Sequence, residues 1–351
     1  MRNYAHILVL GGLLAAACTA EPMQEPAFEP TPVLFTVGDE ELEQTKASVP
    51  YMALDSRFVC SMYYHAAASA TTQEEGEFDL DGAITSSFQV NNNLGNAVCD
   101  PSFYWHNRLT HAFLAVADYN KLQQEPVLTD TYDLTRGTRT SMEEQPDPIR
   151  ALTLQKPAGS TPEANRVRLY FRHQFSQIQV NLKGSEDNSA SLTGDQIDKV
   201  ELLGVSKEGY VSMRLNADGS VDPASALVVK LDDFSDAELK ENKWGTSFEM
   251  FTMAQTATGY LKSFNAIAFG RLSAIRLTWH EEGGSGVVHV STFEVPESNE
   301  MHVPQQNLKS GMRYVYDLEI RRGMLAVIRA EINPWQQKES LVVGADGIIT
   351  N

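Results

Sequence analysis

The sequence predicts an all-β protein built of sandwiches, and three observations carry that prediction. Apolar residues recur at every second position through much of the chain. Clusters rich in glycine and asparagine separate those runs. Few stretches show the three-to-four-residue spacing of an amphipathic helix.

The alternation is clearest near the carboxy terminus, where Met312, Tyr314, Tyr316, Leu318 and Ile320 form one face and Arg313, Asp317 and Glu319 the other. Past a turn at 321–323 it resumes with Met324, Ala326, Ile328, Ala330 and Ile332, which predicts a hairpin with one face on a core. Two more hairpins are marked by turn chemistry: Val211, Met213 and Leu215 lead into a turn at 216–219, and Ile275, Leu277 and Trp279 lead into EEGGSG at 281–286. Between 167 and 182 the inward set Val167, Leu169, Phe171 and Phe175 changes parity to Ile178, Val180 and Leu182. That change predicts a bulge or bend near Ser176 and Gln177. Helix is expected only weakly over 109–121, and for about one turn over 236–241.

A length of 351 residues suits two domains, because single cores stop growing at roughly 250–300 residues. Pro146, Pro148, Pro157 and Pro162, with Gly159 and Ser160, mark a change of composition. The expected linker is 156–165, between domains at 33–160 and 161–351.

The amino terminus has the form of an export signal: Arg2, an apolar run at 7–14, then Ala15, Ala16, Ala17 and Cys18. That run is short of the roughly 20 residues a membrane-spanning helix needs. Small residues directly before Cys18 resemble a bacterial lipobox, so residues 1–18 are expected to be a signal peptide whose cysteine is acylated; Ala15 stands where the commonest lipobox has Leu. Pro22, Pro26, Pro30 and Pro32 make 19–32 an extended tether, since proline fixes φ and removes a backbone donor. Cys60 and Cys99 remain, and an exported compartment permits either a disulfide between them or two buried thiols.

A formal charge of −18 repels phosphate backbones, which makes nucleic acid a poor partner, and none is expected. The usual hydrolase, zinc-protease and nucleotide-binding motifs are missing, so catalysis is not expected. His106 and His111, the closest histidine pair, have an i, i+5 spacing that does not share a helix face, and no metal or cofactor is indicated. The acidic pairs Glu40/Glu41, Glu143/Glu144, Asp232/Asp233 and Glu281/Glu282 read as solvated loop charge rather than a calcium or dyad site. Phe103, Tyr104 and Trp105 read first as core. An alternative is stacking on a sugar ring, as in a glycan-binding surface lipoprotein.

Three stretches, FRHQFSQIQVNL at 171–182, GMRYVYDLEI at 311–320 and IRAEINPW at 328–335, resemble in sequence, order and spacing the fimbrillin-like proteins of Bacteroidales. RLTHAFLAVADYN at 108–120 is a weaker likeness, and the lipobox fits the same family. The resemblance implies two tandem β-sandwiches of transthyretin-like topology in a fimbrial subunit carried to the outer membrane as a lipoprotein. It implies other fimbrial subunits as partners, with host or bacterial surface ligands in addition. Assembly in that family is by strand addition: a protease removes the first strand and a partner's tail fills the groove. Here the first strand is VLFTV at 33–37. The family's arginine soon after it is missing; of the first basic residues, Lys46 and Arg57, Arg57 is the better candidate for a trypsin-like cut, although it lies directly before an apolar run at 58–64. Leu341, Val342, Val343, Ile348 and Ile349 are the candidate donor strand, interrupted by Gly344 and Gly347.

Overall fold

The computed structural model describes residues 28–38, 52–65, 75–92, 95–127, 129–159, 161–185, 192–280, 286–296, 307–321 and 324–335. Cys18, Lys46, most of the tether and the candidate donor residues Leu341, Val342, Val343, Ile348 and Ile349 lie outside the described residues. The described chain is all-β, with one α-helix among the described residues, α1 at Asp236–Glu241. Ser235 and Glu238 cap that helix reciprocally, as the one-turn expectation required.

The first sheet has eight strands. They are β1 (Phe35–Gly38), β2 (Arg57–Tyr64), β3 (Ile84–Val90), β4 (Asn96–Val98), β5 (His111–Asp118), β7 (Pro148–Gln155), β8 (Val167–Tyr170) and β9 (Arg172–His173), in the order β8-β1-β4-β3-β2-β5-β7-β9. Its two end strands, β8 and β9, are separated along the chain by Phe171 alone. Tyr170 and Arg172 therefore sit within about 7 Å of each other, and the sheet must curl until its edges meet. Val33, Phe35, Phe58, Phe88, Phe103, Trp105, Phe113, Leu169 and Phe171 fill the inside.

β5 overturns the weak helix expected over 109–121. Phe113, Ala115 and Ala117 face the core, while Ala112 and Leu114 on the other face are covered by Tyr63, Phe78 and Leu215. A strand buried on both faces loses its alternation, and then period cannot separate it from helix. Only Tyr119–Lys121, a 3-10 turn, is helical there.

The second half has a five-stranded sheet ordered β15-β16-β10-β19-β20, from β10 (Ser176–Gly184), β15 (Phe251–Thr252), β16 (Lys262–Ala268), β19 (Met312–Arg321) and β20 (Met324–Pro334). A four-stranded sheet, β14-β11-β17-β18, holds β11 (Ile197–Val205), β14 (Ser247–Glu249), β17 (Gly270–His280) and β18 (Val288–Glu294). Ile178, Val180, Phe264, Tyr316 and Leu318 of one sheet share a core with Val200, Leu202, Ile275 and Leu277 of the other, which is the arrangement of a sandwich. The predicted hairpins at 312–332 and 275–290 are β19/β20 and β17/β18. The turn at 216–219 also forms, with Gly219 at φ +83° and its N–H donating to Asn216 O at 2.9 Å. Residues 211–215, however, make an irregular segment: Val211 enters the second core, and Leu215 covers β5.

The parity change near Ser176 is a bend, at Gln174 and Phe175, rather than a bulge within one strand. It marks the passage from one sheet to the other, β9 ending at His173 and β10 starting at Ser176. The expected boundary at 160/161 is also corrected, because residues 156–165 connect β7 to β8 within one sheet. A proline-rich surface loop has the same composition inside a sheet as between domains. An earlier segment crosses over instead: β6 (Thr131–Asp133) pairs with β12 (Glu208–Tyr210), whose other neighbour is β13 (Ser225–Ala226). Tyr132, Leu134 and Met142 pack in the second core. Buried Gln145 fastens that crossing, donating to Leu134 O at 2.7 Å and Ile267 O at 3.1 Å and accepting from Ile267 N–H at 2.7 Å.

Candidate assembly site

The segment 31–38 is threaded through the first sheet. Val33 N–H donates to Phe103 O at 2.8 Å, Trp105 N–H to Thr31 O at 3.0 Å, Val167 N–H to Leu34 O at 2.8 Å and Val37 N–H to Gly95 O at 2.8 Å. β1 lies parallel to β8, with Phe35 opposite Val167 and Val37 opposite Leu169, and antiparallel to β4. Its alternate residues Val33, Phe35 and Val37 are buried, as the VLFTV pattern required. Phe35 meets Phe88, Phe113 and Phe103 edge to face at centroid distances of 4.8, 5.5 and 6.1 Å.

Withdrawing this strand would uncover an apolar slot floored by those phenylalanines, together with backbone groups of β4 on one side and β8 on the other. Burial of each of its three inward side chains contributes roughly 1.5–3 kcal/mol. Phe103 and Trp105 are thus walls of the slot, and of the aromatic triplet Tyr104 alone is exposed.

Arg57 is the first residue of β2, paired with Gln89 of β3, and its N–H donates to Leu122 O at 2.7 Å. Its guanidinium is ion-paired with Glu125, which also accepts from Ser87 Oγ at 3.3 Å. A protease binds its target as an extended segment, so reaching this bond would require β2 to leave the sheet.

Cys60 and Cys99 are both free thiols, which corrects the disulfide expectation. Both belong to the first core, Cys60 buried within it and Cys99 packed against it. Burial pushes both thiols up, Cys60 well above the usual range.

His111 is buried, its Nδ1 2.9 Å from Leu109 O while Nε2 accepts from the His106 N–H at 3.1 Å. Burial lowers its pKa to about 4, so the ring is neutral at physiological pH. Among the described residues no group of three His, Cys, Asp or Glu side chains could hold a metal ion. Glu144 is held by Thr140 N–H at 2.7 Å in an exposed loop, and Asp232 and Asp233 are exposed. Glu40, Glu41, Glu281 and Glu282 lie outside the described residues.

One constellation escaped the sequence reading. At the junction of the two halves His173 Nδ1 lies 2.8 Å from Asp147 Oδ1, both side chains buried. The imidazole stacks on Trp335 at 3.9 Å between centroids and 10° between planes, and meets the edge of Tyr119 at 5.2 Å. Trp335 N–H donates to Gly311 O at 2.7 Å, and Gly311 N–H to Phe175 O at 2.9 Å. Gly311 has φ +70°, the left-handed backbone that favours glycine. His173, Gly311 and Trp335 belong to the three resembling stretches, which were the available signal. Asp147 had none.

The family model described as fimbrillin-like matches residues 61–335. No curated protein matches the chain. Among solved structures, the chain is similar to a candidate cell adhesion protein of Bacteroides uniformis, with TM-score 0.54 and 12% identity over 88% of this chain and 99% of that one. A second, from Bacteroides ovatus, gives TM-score 0.50 and 17% identity over 90% and 100%. At such identities the likeness is one of fold.

Proposed function

The chain belongs to the fimbrillin-like family, and from that premise we propose that it is a subunit of a surface fimbrium, joined to a neighbour by strand addition where β1 now sits. The observation that carries this reading is the placement of β1 inside the sheet, with alternate side chains in an aromatic slot and backbone bonds to both flanks. Such a strand has the geometry of a replaceable plug: an incoming strand of the same period restores both the ladder and the burial. On this reading acylated Cys18 anchors the exported chain to the outer membrane through the tether, and other fimbrial subunits are the partners. Leu341, Val342, Val343, Ile348 and Ile349 supply the donor. On this reading the role is structural.

Lys46 is the processing site we favour. It is the basic residue between β1 and Arg57, and Arg57 is held in β2 and ion-paired. A lysine-specific protease is expected to cut the folded protein after Lys46, whereas an arginine-specific one leaves the bond after Arg57 intact. Mass spectrometry of the limited digests distinguishes the two. Cleavage after Arg57 in the native state, with Lys46 spared, would reverse the assignment.

Assembly is tested by adding a synthetic peptide of residues 336–351 to the cut protein. Displacement of the fragment containing β1, with stoichiometric retention of the peptide, is expected. A fragment displaced with no peptide captured, or no displacement at all, would rule out strand exchange with this donor.

A further inference from the structure

On the reading that β1 is exchanged and the tail donated, we propose that His173 is a positioning residue that couples occupancy of the β1 slot to the root of the carboxy-terminal tail. The contacts form a short path. β8 stands at the end of the first sheet with β1 as its neighbour in the strand order, so leaving β1 takes the ladder from Val167–Tyr170. β8 also keeps the burial of Val167 and Leu169 and the bond from Thr153 Oγ1 to Arg168 O at 2.7 Å.

One residue further on, Phe171 packs edge to face on Phe58 at 5.4 Å, inside the same core as Phe35. Loosening β8 therefore loosens Phe171. Next comes β9, just two residues long, joined to β7 through Ile149 opposite His173 and Arg150 opposite Arg172. That ladder is short, and beyond it Gln174 N–H donates to Pro148 O at 2.9 Å. Its last residue, His173, carries the stack on Trp335, and Trp335 directly follows β20, at the root of the tail.

With β1 seated, the tail root is clamped between the imidazole and the Gly311 carbonyl. With β1 gone, the clamp opens and the tail is free to reach another subunit. The consequence is an order of events in which a subunit donates after its own slot has been vacated.

Hydrogen exchange on the full-length chain, read at the β8 amides and at the Trp335 amide, tests the coupling. Val37→Ala weakens β1 without cutting the chain, and Phe35→Ala weakens it further. Both are expected to speed exchange in β8 and, by about tenfold, at Trp335. His173→Asn keeps a donor for Asp147 but removes the ring. In that background Trp335 should exchange faster from the start and no longer respond to Val37→Ala. Trp335→Ala breaks the stack from the other side and, read at the Gly311 amide, should give the same loss of response. Faster β8 exchange with an unchanged Trp335 amide would overturn the coupling, as would an equal response with and without the His173 ring. A Trp335 response that depends on His173, in a protein that captures no tail peptide after cutting, would uphold the coupling and sink the assembly reading instead.

Discussion

Phe35→Ala is expected to lower the unfolding free energy of the first half by about 3–5 kcal/mol. The side chain is 1% exposed and touches three other aromatic rings edge to face. Each of those rings is itself fixed: Phe88 stacks on Phe58 at 5.2 Å, Phe103 lies 5.1 Å from Phe88, and Phe113 packs on Trp105 at 5.4 Å. They cannot collapse into the space left, so the cavity cost adds to the lost burial. Urea unfolding should show a lower midpoint with an unchanged slope. In the protein cut after Lys46 the same change should speed loss of the amino-terminal fragment. Thr36→Ala, which removes a partly exposed side chain with a 3.3 Å hydrogen bond to Asn96 and a 3.4 Å one from Arg166, is expected to cost about 1–2 kcal/mol. If the two substitutions cost the same, β1 is not held in its slot by Phe35.

His173→Ala is expected to cost a comparable 3–5 kcal/mol, for an electrostatic reason. Asp147 is 1% exposed, and burial raises its carboxyl pKa, with the Asp118 charge adding to the rise while His173 opposes it. Removing the imidazole leaves a buried carboxylate without its counter-group. The sign with pH follows. A carboxyl whose folded pKa lies above its unfolded value holds the proton more tightly when folded, so stability falls as pH rises through that interval. The alanine variant should therefore recover part of its loss as pH is lowered from 7 toward the ordinary carboxylate range near 4. Adding Asp147→Ala should restore stability relative to His173→Ala alone, since an absent pair costs less than a broken one. Denaturation midpoints at pH 7 and pH 4.5 for both variants check this. A loss independent of pH and unrelieved by the second substitution would mean that the ring acts through packing alone.

Much of the architecture was legible because period and turn chemistry are local. The 312–320 alternation is β19, the Ser235 and Glu238 cap sets α1, and VLFTV at 33–37 buries the alternate residues its pattern assigns. What misled was equally local. Residues 111–118 lack a polar face because their outer side is roofed by Phe78 and Leu215, residues far away in sequence. The proline-rich 156–165 stretch marks a surface connection, and nothing in its composition says which strands it joins.

The candidate site divides the same way. That residues 33–37 would form an apolar strand, that Cys18 follows an export-like run and that Trp335 ends the last strand are properties of short stretches, decided by side-chain alternation and backbone chemistry. Which strands β1 lies between and that Arg57 is locked in a ladder were decided by strand order in a curled sheet. So was the meeting of His173 with Asp147 and Trp335. Those outcomes depend on contacts between distant segments, whose free energy comes from closing the sheet and excluding water from its interior, and no local pattern encodes that.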